Sequence, residues 1–145
     1  MSEQPSDNTS GWDILNNDCA LYRAVLSPSH LNRQIGRFKK QAFMRRGPNN
    51  EGIPRDIKGL SVKLAEHCTT EDIRGCLDVT GIGKLHVKHA RNIETDDGPS
   101  LDVVRDKIDH ANITGLPAYG EDVFKAENYA SQLAECCDPV YIKPK

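Results

Sequence analysis

Short stretches of the chain alternate apolar and polar residues, which is the pattern of β-strands with one buried face. In the first stretch, Leu21, Arg23 and Val25 fall on one face and Tyr22 and Ala24 on the other, because successive side chains of a strand point to opposite sides. Glycine, proline and asparagine between the stretches indicate turns. The pattern predicts strands over residues 19–26, 41–44, 60–64, 84–93, 101–105, 110–116 and 140–142.

Helical spacing is clearest over residues 121–137, where apolar residues recur every three or four positions and charged residues occupy the opposite face. A shorter helix is predicted over residues 69–77, because Thr69 can cap it and acidic residues follow in the first turn. Ser27 followed by Pro28 favours a single helical turn.

The remaining segments predict loops and define the domain. Residues 45–59 contain three glycines, two prolines and two asparagines, so we expect a long exposed loop there, and the glycine-rich segment 80–84 is expected to be a turn. Residues 1–18 are rich in serine, asparagine and aspartate and predict a disordered tail. Residues 19–145 then form a single compact α+β domain of short, mostly antiparallel strands with one long C-terminal amphipathic helix.

Composition narrows the class of protein. The 145 residues fit one domain, and the net charge of −2 gives no electrostatic case for nucleic-acid binding by the molecule as a whole. Apolar runs are shorter than the ~18–20 residues of a membrane span, and the first residues lack the pattern of a secretion signal. The five cysteines are odd in number and irregularly spaced, which favours reduced thiols, so we expect a cytoplasmic protein.

The strongest electrostatic feature is a basic segment of six cations within fourteen residues that include no acidic residue: Arg33, Arg37, Lys39, Lys40, Arg45 and Arg46. Such a segment attracts phosphate-bearing molecules, RNA or an acidic protein surface, and a solvated hairpin and loop is the alternative interpretation. We therefore predict a small cytoplasmic binding or interaction module of unknown ligand, whose contact surface is the basic segment 33–46 with the loop 47–58. Its partner would be a protein or another anionic molecule, and RNA is the weaker alternative.

Four short motifs follow one another along the chain before the amphipathic helix and the last strand: Leu21-Tyr22-Arg23, Ala42-Phe43, Leu60-Ser61-Val62 and His110-Ala111. Over residues 20–142 this series resembles a family of small uncharacterised bacterial proteins. The resemblance implies a fold more than a function.

A looser similarity connects the same residues to ADP-ribosyltransferase-like folds, which include small toxins that consume NAD. It implies that Arg23 holds a phosphate or ribose of NAD, that Phe43 or Ser61 lies beside the nicotinamide, and that His110 is a polar helper. The late glutamate of several subfamilies has no counterpart on a predicted strand here. An NAD-consuming enzyme is thus the alternative to the interaction module, and it alone requires a cofactor. The structural interpretation instead places Arg23 on a half-buried strand face and Phe43 in the core.

His110 begins the predicted strand 110–116, where an imidazole suits a general base or a phosphate contact. The simpler interpretation is a strand-end side chain that is hydrogen-bonded to Asp106 or Asp109.

Metal binding is not predicted. His86 and His89 are three residues apart on the predicted strand 84–93, so their side chains would point to opposite faces and could not share one ion. The cysteines nearby, Cys68 and Cys76, do not form a Cys-x-x-Cys pair.

Overall fold

The computed structural model describes residues 14–95 and 100–145. Over these residues the predicted α+β class is confirmed, because helices accompany a six-stranded sheet in which all neighbouring strands are antiparallel. Numbered along the chain, the strands are β1 (Ala20–Val25), β2 (Leu31–Asn32), β3 (Arg37–Phe38), β4 (Leu60–Leu64), β5 (Gly81–His86), β6 (Asp102–Lys107), β7 (His110–Thr114) and β8 (Asp138–Ile142). The strand order in the sheet is β6-β7-β4-β1-β5-β8, and β2 and β3 form a separate two-stranded ribbon.

The helices are α1 (Thr70–Cys76), α2 (Val87–Arg91) and α3 (Val123–Cys136), together with 3-10 helices at Pro28–His30 and Lys40–Phe43. Both longer helices agree with the sequence prediction, and α1 begins at a capping box in which Thr69 and Asp72 each accept the other's backbone N–H. None of the helices in the described ranges has the length and apolar character that crossing a membrane requires.

The two faces of the sheet differ in what covers them. On the core face, Leu21 and Val25 of β1 belong to the main hydrophobic cluster, which includes Leu133 of α3. On the second face, Ile73 of α1 and Ile82 of β5 belong to a smaller cluster against which β1 and β8 also pack. Beyond α1, β4 and β7 place polar side chains on the second face, among them Ser61 and Asn112, which lie opposite each other.

Two predicted strands need correction near the basic segment and after β5. Residues 41–43 belong to the 3-10 helix Lys40–Phe43, in which Phe43 is completely buried, and Met44 caps its end. The predicted strand 84–93 is a strand only to His86, after which the chain turns into α2.

The expected turn at residues 80–84 is wrong, because most of it is β5. Its glycines serve close packing instead of a turn: a Cβ added at Gly81 would lie 2.6 Å from Phe38 Cζ, and one at Gly83 would collide with Cys137 Sγ. The missing side chains let Phe38 approach the core face of the sheet.

The domain begins before the predicted boundary at residue 19. Of the predicted tail, residues 1–13 lie outside the described residues. Leu15 is buried in the main core, and the carbonyl of Asn17 accepts the backbone N–H of Lys88 at 3.0 Å. These contacts make residues 15–18 part of the domain.

Candidate functional site

Ser61 lies at the centre of the candidate site, on β4. Its neighbours Leu60 and Val62 are buried on the core face, so the Ser61 side chain lies on the second face of the sheet. There Ser61 Oγ is 2.5 Å from Nε2 of His110, the first residue of β7. The strand register places Ser61 opposite Asn112, so the contact to His110 is a diagonal one between neighbouring strands.

Asp106 on β6 extends this contact into a chain of three side chains. The register of β6 and β7 shifts at a β-bulge around Asp106, and bulges commonly redirect a side chain. Oδ1 of Asp106 lies 2.6 Å from His110 Nδ1, while Oδ2 accepts the side-chain amide of Asn112 at 3.0 Å. Ser61, His110 and Asp106 are therefore hydrogen-bonded in series across three strands.

The protonation states of this chain of side chains depend on Asp106. Burial by itself raises the pKa of Asp106, but the hydrogen bonds from His110 and Asn112 outweigh it and hold the pKa below its ordinary value. An ionised carboxylate only accepts hydrogen bonds, so the proton of the neutral imidazole is on Nδ1. Nε2 is then an acceptor, and the Ser61 hydroxyl donates to it. This polarity is the one that draws a proton away from a serine nucleophile.

A groove of about 150 Å³ opens beside Ser61, where β1 and β4 separate after a short paired region. Apolar side chains from β1, from α1 and from the residue that caps α1 line part of it: Tyr22, Ile73 and Leu77. Arg46 and Lys63 contribute positive charge to the same lining. The groove therefore offers apolar contacts and cations next to the hydroxyl of Ser61.

Arg23 supports the backbone beneath Ser61. It lies on the core face of β1, 5% exposed, where Nε donates to the Ala42 carbonyl at 2.9 Å and Nη1 to the Ser61 carbonyl at 2.8 Å. The regular pairing of β1 with β4 does not reach Ser61, so the guanidinium replaces a missing strand partner. Burial lowers the pKa of Arg23 to about 10, which leaves the side chain charged at neutral pH.

The four residues predicted for an NAD site are thus divided by the sheet. Ser61 and His110 meet on the second face, whereas Phe43 is fully buried in the main core. Arg23 reaches Ser61 only through the backbone, and the donors it uses are already bonded to carbonyl oxygens. The internal carbonyl partner for Arg23 agrees with the structural interpretation of the sequence.

The basic segment is largely bonded to its own chain within the described residues. Nη2 of Arg37 lies 3.1–3.4 Å from three carbonyl oxygens at the end of α3, and Lys40 pairs with Glu127 at 3.5 Å. Arg33 and Lys39 are exposed. Much of the positive charge in residues 33–46 therefore compensates backbone dipoles instead of facing solvent.

Arginines also order the loop 47–58, which is irregular as predicted. Arg45 donates to the carbonyls of Asp56 and Ile57 at 2.9 and 2.8 Å, and Arg46 holds the Asp56 carboxylate with Nε and Nη2 at 2.9 and 3.1 Å. Arg55 donates to the Gly47 carbonyl at 2.8 Å. These contacts fix the end of the loop that borders the groove.

Replacing Asp56 with asparagine is expected to lower the free energy of unfolding at pH 7 by about 1–3 kcal/mol, because Arg46 loses its charged partner. Burial raises the pKa of Asp56, but the Arg46 hydrogen bonds and the charge of Arg23 outweigh it and lower the pKa from 3.8. The ionised carboxylate therefore stabilises the fold above the unfolded pKa, and this contribution is lost as the pH falls through the folded pKa. Asparagine tolerates the φ of 51° at this position.

Urea unfolding of both proteins from pH 7 to pH 3 measures this difference. We expect the gap between wild type and Asp56→Asn to close toward low pH. A gap that stays constant over the series would mean that the carboxylate charge is not what stabilises the loop.

Within the described ranges, no cluster of three or more histidine, cysteine, aspartate or glutamate side chains is arranged to hold a metal ion. His86 and His89 lie at the start of α2, where Nδ1 of His89 accepts the backbone N–H of His86 at 3.0 Å. The two side chains do not lie on opposite faces of one strand as predicted, because α2 begins between the two residues.

The sequence interpretation left two members of the site without a functional role. Asp106 was expected only as a structural partner of His110, and Asn112 was not singled out. The local signal was a carboxylate four residues before a histidine across a predicted turn, which a hairpin can bring into contact. The pairing of β4 with β7 that adds Ser61 leaves no local signal.

Comparison of the chain with protein-family models, with curated proteins and with solved structures found no match. The resemblances to a bacterial family and to ADP-ribosyltransferase-like folds therefore stay predictions. The function of the chain has to be inferred from the geometry of the described residues alone.

Proposed function

We propose that the protein is an acyl hydrolase or acyl transferase with Ser61 as its nucleophile. The observation that carries the proposal is the hydrogen-bonded series Ser61, His110, Asp106, with distances of 2.5 and 2.6 Å. A serine hydroxyl is a weak nucleophile unless a base removes its proton, and a base is effective when a third group orients it. The Asp106 carboxylate accepts hydrogen bonds from His110 and Asn112, and these bonds orient the imidazole of His110.

The reaction assigns one role to each group. Ser61 Oγ attacks the carbonyl carbon of an ester while its proton passes to Nε2 of His110. Asp106 stabilises the imidazolium that forms. The same proton then goes to the departing alcohol as the carbon–oxygen bond breaks, which leaves an acyl ester on Ser61. Water, or another alcohol in a transferase, attacks this ester while its proton passes to His110. The bond from the acyl carbon to Ser61 Oγ then breaks and His110 returns the proton to Oγ, which releases the acid in a hydrolase or the new ester in a transferase.

Negative charge develops on the carbonyl oxygen during each attack, and fixed positive groups nearby lower the energy of that state. Lys63, two residues after Ser61 on β4, is the cation to which we assign this role in the groove. Its apolar lining excludes water around the acyl chain and strengthens these electrostatic interactions. We assign the acyl chain to this groove.

A fluorophosphonate probe tests the nucleophile directly, because it forms a covalent bond with an activated serine and requires no known substrate. We expect wild-type protein to be labelled on the peptide containing Ser61. Ser61→Ala should lose the label, and His110→Gln should be labelled far more slowly since the hydroxyl keeps its proton.

Ser29→Ala is the matched control, because Ser29 is exposed, its hydroxyl lies 2.9 Å from that of Ser27, and it does not line the groove beside Ser61. Its labelling should equal that of wild type. A wild-type protein that takes up no label, or one labelled equally after Ser61→Ala, would refute the proposed nucleophile.

The functions predicted from sequence remain proposals that concern other groups. An interaction surface on residues 33–46 would depend mainly on the exposed Arg33 and Lys39, with a protein, another anionic partner or RNA as ligand. An NAD site built on Arg23 would first have to break its hydrogen bonds to Ala42 and Ser61. Among the described residues, neither has a hydrogen-bonded constellation comparable to that of Ser61.

A further inference from the structure

A second, larger hollow of about 310 Å³ lies next to the groove beside Ser61. The two spaces share four lining residues: Arg23, Ala24, Leu26 and Arg46. The second hollow lies between the end of β1 and the loop that contains Arg55. The two spaces are therefore neighbours, and Arg46 borders both of them.

The second hollow is positively charged. Arg46, Arg55 and His30 line it, and among the described residues no aspartate or glutamate lines either hollow. Burial, and after it the charges of Arg23 and Lys39, lower the pKa of His30, as expected in a region of positive potential. Since the whole chain carries a net charge of −2, this concentration of cations is local.

The two arginines retain donors for a ligand. Arg46 uses Nε and Nη2 on Asp56, and Arg55 uses Nε and Nη2 on the Gly47 and Pro48 carbonyls. Nη1 of neither residue makes a hydrogen bond within the described part of the chain. The bonds to Asp56 and to the loop backbone fix both guanidinium groups in place, which reduces the entropy lost when an anion binds.

We infer, on the basis of the proposed function, that the substrates are acyl compounds that carry a phosphate monoester, which binds between Arg46, Arg55 and His30 while the acyl carbon lies at Ser61. A phosphate is an anion that can accept hydrogen bonds from Nη1 of both guanidinium groups and from the imidazole of His30. The apolar residues beside Ser61, including Tyr22 and Ile73, contact the carbon chain that connects the two ends.

Binding to Ser61→Ala tests the phosphate subsite without any reaction. The protein is titrated calorimetrically with phenyl phosphate, and with phenylacetate and phenol as ligands of lower or no charge. We expect phenyl phosphate to bind most tightly and phenol not to bind measurably. Arg55→Gln should weaken phenyl phosphate binding about 10-fold or more, the usual effect of losing a charge-assisted hydrogen bond.

Lys88→Gln is the matched control, because it removes one exposed positive charge on α2, which does not line either hollow. Its affinity for phenyl phosphate should equal that of Ser61→Ala alone, and circular dichroism checks that Arg55→Gln is folded. Equal weakening by both variants would indicate a general charge effect and would overturn the subsite, as would phenyl phosphate binding no tighter than phenol. Phenylacetate binding as tightly as phenyl phosphate would overturn the phosphate assignment in favour of a carboxylate.

The experiments can refute the Ser61 nucleophile and the phosphate subsite separately. Labelling of Ser61 without phenyl phosphate binding would overturn the phosphate subsite and leave the serine nucleophile in place. Phenyl phosphate binding that depends on Arg55, in a protein whose Ser61 takes up no label, would identify a phosphate-binding site and refute the acyl chemistry.

Discussion

Asp106→Asn is expected to lower kcat for hydrolysis of a simple ester by about 10⁴-fold while the protein remains folded, the size of effect known for this change in serine proteases. The asparagine amide can still bond His110, but it donates where the carboxylate accepted. Nδ1 then becomes the acceptor, the imidazole proton moves to Nε2, and Nε2 can no longer take the proton of Ser61. The loss of charge also removes the stabilisation of the imidazolium in the transition state.

The measurement is the rate of 4-nitrophenyl butyrate hydrolysis for wild type and variant, with circular dichroism as the check on folding. Asp78→Asn is the matched control. The Asp78 side chain is 90% exposed, pairs with Lys143 at 3.0 Å and does not line the groove beside Ser61. Such pairs contribute little, so kcat should stay close to wild type. Comparable losses in the two variants would contradict a specific role for Asp106.

The site shows which contacts a sequence can predict. His110 and Asp106 are four residues apart and belong to one hairpin, so their contact was one of two that the sequence analysis considered. Ser61 is 49 residues from His110, and the two meet only because β7 pairs with β4. Strand order depends on which faces pack together over the whole chain. Alternation within one strand does not encode it.

The basic segment shows a second limit of sequence-based prediction, which concerns the hydrogen-bond acceptors of its cations. The sequence near Arg37 contains no acidic partner for it, and within the described residues no carboxylate pairs with it. Its partners are carbonyl oxygens at the end of α3, about one hundred residues away along the chain. Every residue carries a carbonyl oxygen, so the sequence gives no sign of which ones are left without a donor. Composition therefore predicts that the segment is basic and does not predict where its charge is directed.

The wrong prediction of secondary structure at residues 80–84 also results from tertiary packing. Residues 80–84 contain two glycines, which favour a turn by themselves, yet they form part of β5 because Phe38 and Cys137 approach the strand there. Where burial alternates without such a neighbour, as in β1 and β4, the predicted strands agree with the structure. Alternation of apolar and polar residues predicts a strand reliably where one face of the strand packs on the core. It fails where a neighbouring segment approaches so closely that the strand needs glycine, a residue with no side chain.

Arg23→Ala is expected to lower the free energy of unfolding by about 1–3 kcal/mol, the range for leaving buried hydrogen-bonding groups without their partner. The change leaves the Ala42 and Ser61 carbonyls without their donor and opens a cavity beneath β4. The cost of burying the guanidinium, which lowers its pKa to about 10, is relieved at the same time and offsets part of the loss. Urea unfolding at pH 7 measures the difference.

Arg23→Met separates the lost hydrogen bonds from the cavity, because methionine fills much of the arginine stem volume and donates no hydrogen bond. We expect it to recover part of the stability and still to hydrolyse ester more slowly than wild type, since the backbone that carries Ser61 is no longer anchored.

Thermal unfolding with and without NAD then tests the alternative function. If Arg23 served as the NAD ligand, NAD would raise the melting temperature of wild type and leave that of Arg23→Met unchanged. If Arg23 acts as a support for Ser61, NAD shifts neither melting temperature, and a shift confined to wild type would contradict that role.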